Sequence, residues 1–291
     1  MMKRSVITDE VSQSIPDVLA FARSFSLDAV ELRSVEGKGP FEFDKTLVET
    51  LRTELVQAGF PVCCLSLPFY KCAIDDLAAR QSHIESLKRS LEHADRLGCG
   101  LVRGFCFWRD PSAPLPVLQV AEAYQAAIPL LQDANVTLVI EADPSVNGHT
   151  ARDLKALIEG IGSPAVQALW DGGNLLYAED GETPVDGYRL LRPYIRHVHI
   201  KDAVRIPGGA DAVKVGQGEG QIAQQLSLLA QDGYDGYLSL ETHYRLTKEI
   251  DEALMRLPGG AAFSEGALEA STESMEALTQ LYKEAVASCG R

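Results

Sequence analysis

Three carboxylates and one imidazole occupy equivalent positions between residues 141 and 241 of this 291-residue chain. Glu141, Asp171, His199 and Glu241 each stand at the end of a short run rich in Leu, Val and Ile. Such runs are typical of parallel strands that are buried on both faces. Parallel barrels collect their chemistry at the carboxyl ends of the strands, so the four side chains are expected to converge. Their residue types then predict a divalent-metal site in an enzyme that acts on a small polar substrate.

Side-chain alternation supports this convergence, because residues two apart on a strand share a face. In the last run, Ser239 and Glu241 share one face and two leucines share the other. The runs that contain Glu141 and His199 alternate in the same way. The aliphatic face can pack against helices, which leaves the polar face to point into the barrel. A single charged residue at a strand end is as often an ordinary solvent-exposed residue as a functional one. Agreement among four strands argues against the ordinary interpretation.

Strand and helix patterns alternate along the whole chain. Eight strands with intervening helices predict an α/β fold, a (β/α)8 barrel, as one domain over residues 1–291. A doubly wound sheet is the alternative, but it would not gather the ends of the last four strands at one point. The expected strands are Ser5–Thr8, Ala29–Leu32, Val62–Leu65, Leu101–Phe105, Leu138–Glu141, Ala168–Asp171, His197–Ile200 and Tyr237–Glu241.

Capping signals place the expected helices between these strands. Ser14, Asp44 and Thr150 are suitable N-cap residues, because their side chains can accept a hydrogen bond from the first helical turn. A single helix is expected over 114–131 and a last one over 272–287. An excursion at about residues 245–271 separates the last strand from the C-terminal helix, and the sequence does not decide whether it covers the barrel mouth or makes an oligomer contact.

Composition excludes several classes of function. The net charge of -14 repels phosphate backbones, so no nucleic-acid partner is expected. No apolar stretch is long enough to span a membrane, and the N-terminus lacks the apolar core of a signal peptide, so a cytoplasmic protein is expected. The six cysteines lack zinc-ribbon spacing and are interpreted as reduced, partly buried thiols.

Seven stretches resemble the sugar phosphate isomerase/epimerase superfamily, whose members share the xylose isomerase-like TIM barrel. The superfamily includes inosose dehydratases, ketose epimerases and hydroxypyruvate isomerases. The pair HVHIKD and GYDGYLSLE is fairly specific for the superfamily, although not for any one activity. The matching stretches are Ile7–Val11, Asp28–Arg33, Ile140-Glu141, Trp170–Asn174, His197–Asp202, Val215–Gly220 and Gly233–Glu241.

The resemblance implies one divalent ion held by Glu, Asp, His and Glu from the last four strands. By position these are Glu141, Asp171, His199 and Glu241, the residues that the strand ends also select. Three carboxylates and one imidazole suit Mn2+, Mg2+, Co2+ or Zn2+. In the family's epimerases the two glutamates act as acid and base, which implies catalytic roles for Glu141 and Glu241.

The activity implied is that of a metal-dependent isomerase or epimerase of a sugar or sugar phosphate. The proton next to a carbonyl would be removed and the metal would stabilise the resulting enediolate. Loss of a β-hydroxyl from that enediolate would instead give an inosose-type dehydratase, which stays open as the alternative. Family members are often dimers or tetramers, which suggests a homo-oligomer.

Four further residues are candidates for contact with the substrate, and each has an ordinary structural alternative. Arg33 can pair with Glu31 or Glu10, and the lysine can form a salt bridge with a carboxylate of the cluster. The histidine can be an ordinary loop residue, and the asparagine can simply shape its turn. The candidates are Lys201, Asn174, His149 and Arg33.

Two other features give weaker signals. His197 lies one inward position deeper than His199 and is interpreted as a buried, hydrogen-bonded core residue. The glycine-rich loop at residues 216–220 precedes a helix in a region where barrels often bind phosphate. However, Glu219 would repel phosphate and glycines also serve turns, so a phosphorylated substrate is not favoured. Some family epimerases carry histidine in place of Asn174, which weakens a specific ketose 3-epimerase prediction.

Two different kinds of protein are the competing interpretations. An endonuclease IV-like nuclease would need three metals and a basic face, whereas this chain has six histidines and a strong negative charge. A non-catalytic sugar-binding barrel would be expected to have lost at least one ligand, and all four are present. Both are therefore less favoured than a metal-dependent enzyme.

Overall fold

The computed structural model describes residues 1–178, 182–247 and 250–289. Eight parallel strands form one sheet in the order β1-β10-β7-β6-β5-β4-β3-β2. A parallel bridge between Ile7, just after β1, and Glu31 of β2 brings the two ends of the sheet together, so the barrel is nearly closed. These strands are β1 Lys3–Val6, β2 Val30–Leu32, β3 Val62–Phe69, β4 Leu101–Gly104, β5 Thr137–Glu141, β6 Val166–Asp171, β7 Ile195–Ile200 and β10 Tyr237–Leu240.

Helices surround the barrel and bury its aliphatic outer face. The predicted caps at Asp44 and Thr150 are confirmed, since they accept hydrogen bonds from Leu47 N and Asp153 N. Ser14 occupies an N-cap position, but its side chain makes no capping bond. The helices are α1 Ile15–Ser24, α2 Lys45–Ala58, α3 Leu77–Leu97, α4 Val117–Tyr124, α5 Ile128–Asp133, α6 Ala151–Ile161, α7 Pro184–Leu191, α8 Ile222–Gln231, α9 Glu252–Arg256, α10 Gly260–Ser264 and α11 Ala267–Cys289.

Several elements differ from the sequence prediction. The single helix expected over 114–131 is wrong: α4 and α5 are separate, because Pro129 in the first turn of α5 has no N–H to continue the helical hydrogen bonds. The last helix begins at Ala267 rather than at residue 272. An antiparallel hairpin of β8 (Asp202–Ile206) and β9 (Gly209–Val213), absent from the prediction, extends from the end of β7.

The barrel interior has two chemically different levels. Cys64, Val139 and Leu169 form a small apolar cluster in which each side chain is fully buried. Val139 and Leu169 lie two residues before Glu141 and Asp171, so this cluster lies below the polar strand ends. None of the described helices is long and apolar enough to cross a membrane.

Candidate metal centre and active site

The four strand-end residues selected from the sequence meet at the carboxyl end of the barrel. One ligand atom from each of Glu141, Asp171, His199 and Glu241 lies within 4.8 Å of the others. His199 Nδ1 is 3.3 Å from Glu241 Oε2 and 3.4 Å from Glu141 Oε1. All four side chains are buried. The register explains the alignment, because Asp171 of β6 is level with His199 of β7.

Glu31 of β2 orients the imidazole of His199. His199 Nε2 is 3.0 Å from Glu31 Oε1, and His197 Nε2 is 2.7 Å from Glu31 Oε2. Burial alone would raise the pKa of Glu31, but the two histidines hold it well below its usual value, so this carboxylate is an anion. With Nε2–H directed at Glu31, Nδ1 of His199 faces the cluster. Metal-binding histidines commonly have such a carboxylate partner on the other nitrogen.

The donor set fits a divalent cation. Asp171 Oδ2, Glu241 Oε2 and His199 Nδ1 are buried and form no hydrogen bond of good geometry among the described residues, although Lys201 Nζ forms ion pairs with the two carboxylates at 3.1 and 2.8 Å. Buried polar atoms of this kind are rare, and three carboxylates with one imidazole are ligands for a hard or borderline ion. One cation within reach of all four residues would satisfy the three atoms together.

Protons compete with such a cation at two of these residues. Burial, with repulsion from Glu241 and Glu141, raises the pKa of Asp171 to about 7 against the opposing charge of Lys201. Burial favours the neutral ring of His199, but Glu31 and Glu241 raise its pKa well above the ordinary value. A metal that binds here must therefore displace protons.

Lys201 and Asn174 lie beside the cluster and contact it directly. Lys201 Nζ is 2.8 Å from Glu241 Oε2 and 3.1 Å from Asp171 Oδ2. Asn174 accepts a hydrogen bond from Lys201 at 2.9 Å and donates one to Glu141 at 3.1 Å. Both residues line the cavity above the cluster, so the predicted substrate contact and the alternative salt bridge are compatible for Lys201.

Arg33 lies behind Glu241, outside the lining of the cavity. Its guanidinium contacts Asp9 at 2.9 Å, Glu10 at 2.9 Å and Glu241 at 2.5 Å. Glu31, one of the two partners considered from the sequence, binds the histidines instead. The placement gives Arg33 the role of a buried counter-charge.

His149 and His197 lie in positions that favour structural roles. His149 Nδ1 is 3.1 Å from Asp153 Oδ2 in the first turn of α6, and His149 does not line the cavity. This position matches the ordinary loop histidine considered for it. His197 is fully buried on Glu31 and Ser239, as predicted for a hydrogen-bonded core residue.

Three residues of the site were missed by sequence reasoning. Each lines the cavity and carries a buried polar atom without a hydrogen-bond partner in the described chain: Arg103 Nε, Tyr177 Oη and His243 Nε2. Arg103 also lies 2.9 Å from Glu141 Oε2. The parity rule used for the later strands could have found Arg103, which is a charge within an apolar strand. It does not apply to His243, which lies beyond the end of β10 with a φ of +47°.

The glycine-rich loop serves an internal carboxylate. The N–H groups of Gly216, Gly218 and Gly220 donate to Asp202 at 2.8, 3.0 and 2.9 Å. A Cβ on Gly218 would lie 2.2 Å from Asp202 Oδ1, so this position requires glycine. These backbone donors are engaged by Asp202, and the loop lends no support to a phosphorylated substrate.

Comparison with known proteins defines the family. A sequence profile of the xylose isomerase-like TIM barrel family matches residues 19–278. The chain belongs to this family. A segment of 124 residues is 32% identical to the uncharacterized protein YihM of Escherichia coli, and it covers 41% of this chain and 36% of that protein.

Solved structures of two epimerases share the whole barrel. L-ribulose 3-epimerase is 18% identical with a TM-score of 0.74, over 100% of this chain and 97% of that one. The 3-keto-D-glucoside 4-epimerase YcjR of Escherichia coli is 16% identical with a TM-score of 0.70, over 97% of this chain and 100% of that one. At these identities the likeness confirms the predicted fold.

Proposed function

We propose that this xylose isomerase-like protein is a divalent-metal-dependent sugar epimerase or isomerase that moves the proton next to a carbonyl. The observation that carries the proposal is the cluster of three carboxylates and one imidazole within 4.8 Å at the floor of a cavity. Glu141, Asp171, His199 and Glu241 would hold the ion. When bound, it would polarise the substrate carbonyl and so lower the pKa of the C–H group next to it.

We assign the proton transfer to the two glutamates. Glu141 on β5 and Glu241 after β10 flank Asp171 and His199 in the strand order, so a substrate above the cluster would lie between them. Burial and mutual repulsion oppose ionisation of Glu141, but Arg103 and His199 hold its pKa below the usual value. Burial also raises the pKa of Glu241, but Lys201 and His243 hold it well below its usual value. Each can therefore start as the base.

The surrounding residues bind and orient. Lys201 stays protonated, because Asp171 and Glu241 raise its pKa against burial, and it can stabilise negative charge that develops on a substrate oxygen. Arg103 and His243 line the cavity and can bind substrate hydroxyl groups. Two solved relatives are named as epimerases, and a third, the probable 3-DHS dehydratase AsbF of Bacillus anthracis, has the same fold with a TM-score of 0.70, so dehydration stays the alternative outcome.

Hydrogen exchange tests this proposal. Protein loaded with Mn2+ is incubated with a panel of ketoses and aldoses in D2O, and deuterium at the carbon next to the carbonyl is followed by NMR. We expect exchange with at least one sugar, and its loss in Glu141→Gln and in Glu241→Gln. Glu92→Gln on the outer face of α3 is the matched control, since Glu92 is exposed. Exchange retained in both site variants would refute the assignment, and loss of a hydroxyl group without exchange would favour the dehydratase.

A further inference from the structure

The two short helices between β10 and α11 are held to the barrel in different ways. α10 is anchored on side chains from the start of the chain. Gln13 Nε2 donates to the carbonyl of Gly260 at 3.1 Å and to Ser264 Oγ at 2.8 Å. The N–H group of Gly260 donates to Ser34 Oγ at 2.8 Å, and Phe263 of α10 is fully buried. α10 is therefore a fixed part of the fold.

Residues 250–258, which include α9 and are called the lid segment below, are attached at a single junction. Among the described residues outside the segment, Lys71 alone forms a hydrogen bond with it, from Nζ to the carbonyl of Arg256 at 2.7 Å. The guanidinium of Arg256 also lies 4.2 Å from the centre of the Trp108 ring. A helix of five residues is not stable by itself, so the position of α9 depends on these two contacts.

This junction can open without leaving a buried charge unpaired. The side chain of Lys71 is only 2% exposed, and its second partner is Asp143 Oδ2 at 2.8 Å. The ion pair with Asp143 persists when the lid segment moves away, whereas loss of a sole partner would strand a buried cation. Arg256 is exposed and returns to solvent. Release therefore breaks one hydrogen bond and one ring contact.

One face of the lid segment covers the cavity above the candidate metal centre. Ile250, Leu254 and Met255 line this cavity. Ala253 and Leu257 lie outside its lining and are exposed to solvent. The segment therefore separates part of the cavity from solvent.

Two glycines connect the lid segment to the anchored α10. Gly259 has a φ of +151° and Gly260 a φ of +78°, values that favour glycine. Hinges of moving segments consist of a few residues at the ends of elements, where backbone angles change. This connection has a fixed element on one side and a weakly attached one on the other.

We propose that residues 250–258 form a lid that turns about Gly259 and Gly260 and opens at Lys71 and Trp108 to admit substrate. The sequence leaves open whether this excursion covers the barrel mouth or makes an oligomer contact, and the proposal assigns it to the mouth. The inference goes beyond the proposed function, because it depends on how the segment is attached and not on a bound metal.

Hydrogen exchange of the metal-free protein, followed by mass spectrometry, tests the attachment. In Lys71→Met the hydrogen-bonded amides of Met255 and Leu257 should exchange about tenfold faster than in the wild type, because a hydrogen bond from a charged donor is lost. Arg256→Gln removes the ring contact at an exposed position and should raise the same rates about two- to fivefold. Lys88→Met, which breaks an exposed ion pair on α3, is the control and should leave them unchanged. Strands β3 to β6 should keep wild-type exchange in all three variants.

Reaction of a cavity thiol with the bulky disulfide reagent DTNB tests entry. Val204 lines the cavity from the β8–β9 hairpin, outside the lid segment, so Val204→Cys introduces a thiol there. Cys289→Ser in the same background leaves five buried cysteines as the native thiols. Adding Lys71→Met should raise the rate of thiol modification by about the same factor as the amide exchange, whereas adding Lys88→Met should not.

Three results would overturn the inference. Wild-type exchange of α9 in both Lys71→Met and Arg256→Gln is the first. Faster exchange with unchanged thiol reactivity is the second, because the segment would then be loosely held without controlling entry. Exchange of wild-type α9 that slows as protein concentration rises is the third, since it would assign the segment to an oligomer contact. Neither experiment uses metal, so failure to bind Mn2+ would count against the proposed function alone.

Discussion

The two halves of the barrel contribute different parts of the same site. Strands β5, β6, β7 and β10 end in the four clustered residues, which carry three carboxylates. Strands β1 to β4 and the turns after them supply several of the groups that orient or neutralise that cluster, including Glu31, Arg33 and Arg103, while Lys201 comes from the second half. The comparison teaches that the ligands and their supports are separated along the chain, although they touch at the barrel mouth.

Removal of a support charge should have the largest effect. Arg33→Met leaves Asp9, Glu10 and Glu241 buried without their shared cation. We expect the free energy of unfolding to fall by about 3–5 kcal/mol, measured by urea denaturation of the metal-free protein. Arg189→Met, which breaks an exposed pair with Asp186, is the control and should change stability by less than about 1 kcal/mol. If Arg33→Met lowered the free energy of unfolding no more than this control does, Arg33 would not be the buried counter-charge described here.

A support that only orients a ligand should weaken metal binding while the fold persists. Glu31→Gln keeps the shape of the side chain but removes the charge that holds His199 Nε2. Mn2+ affinity should fall about 10–100-fold, measured by competition with a chelating dye. Glu122→Gln, on an exposed position of α4, should bind Mn2+ as the wild type does. If Glu31→Gln bound Mn2+ with wild-type affinity, Glu31 in the first half would not be needed to orient His199 in the second.

Metal binding should depend on pH because protons occupy the ligands. The pKa of Asp171, raised by burial to about 7, keeps it protonated below that pH in the metal-free protein. Protonated Asp171 therefore stabilises the metal-free fold. This contribution to the free energy of unfolding is fully present below the pKa that Asp171 has in the unfolded chain, and it is lost as pH rises through 7. Metal affinity should change in the opposite sense and fall roughly a hundredfold per pH unit below 7, because protons must leave both Asp171 and His199. Titrations in two buffers of different ionisation enthalpy will count the released protons, and an affinity that is constant from pH 5 to 7 would refute the competition.

His149 should contribute least. The sequence makes it a candidate for substrate contact, whereas the structure pairs it with Asp153 away from the cavity. His149→Ala should keep the exchange rate within about twofold and change stability by less than about 0.5 kcal/mol. A tenfold loss of rate with unchanged stability would restore the substrate contact.

The cluster could be predicted because its signal is local. Each of its residues ends an apolar run, and the period of two in that run shows which side chains face inward. Glu31 gives a weaker signal, since its partners His197 and His199 lie on a strand more than 160 residues away in sequence. Arg103 was missed because the parity argument was applied to the last four strands alone.

Local turn chemistry explains two errors in the fold prediction. The β8–β9 hairpin turns at Pro207-Gly208, where Gly208 has a φ of +87°. Proline followed by glycine is a known turn signal, but the flanking runs are short and half-exposed. Pro129 likewise marks the start of α5 within a continuous apolar pattern. In both cases the hydrophobic pattern continues through a position at which the backbone must turn or begin a new helix.

Metal stoichiometry tests the central claim most directly. Protein purified without a metal-affinity column is stripped, reloaded with Mn2+, desalted and measured by plasma mass spectrometry. We expect about one ion per chain, retained in Glu92→Gln and lost in Glu141→Gln and in His199→Ala. About three ions per chain would instead favour a nuclease-like centre, and the absence of bound metal after reloading would contradict the metal-dependent mechanism while leaving the barrel fold intact.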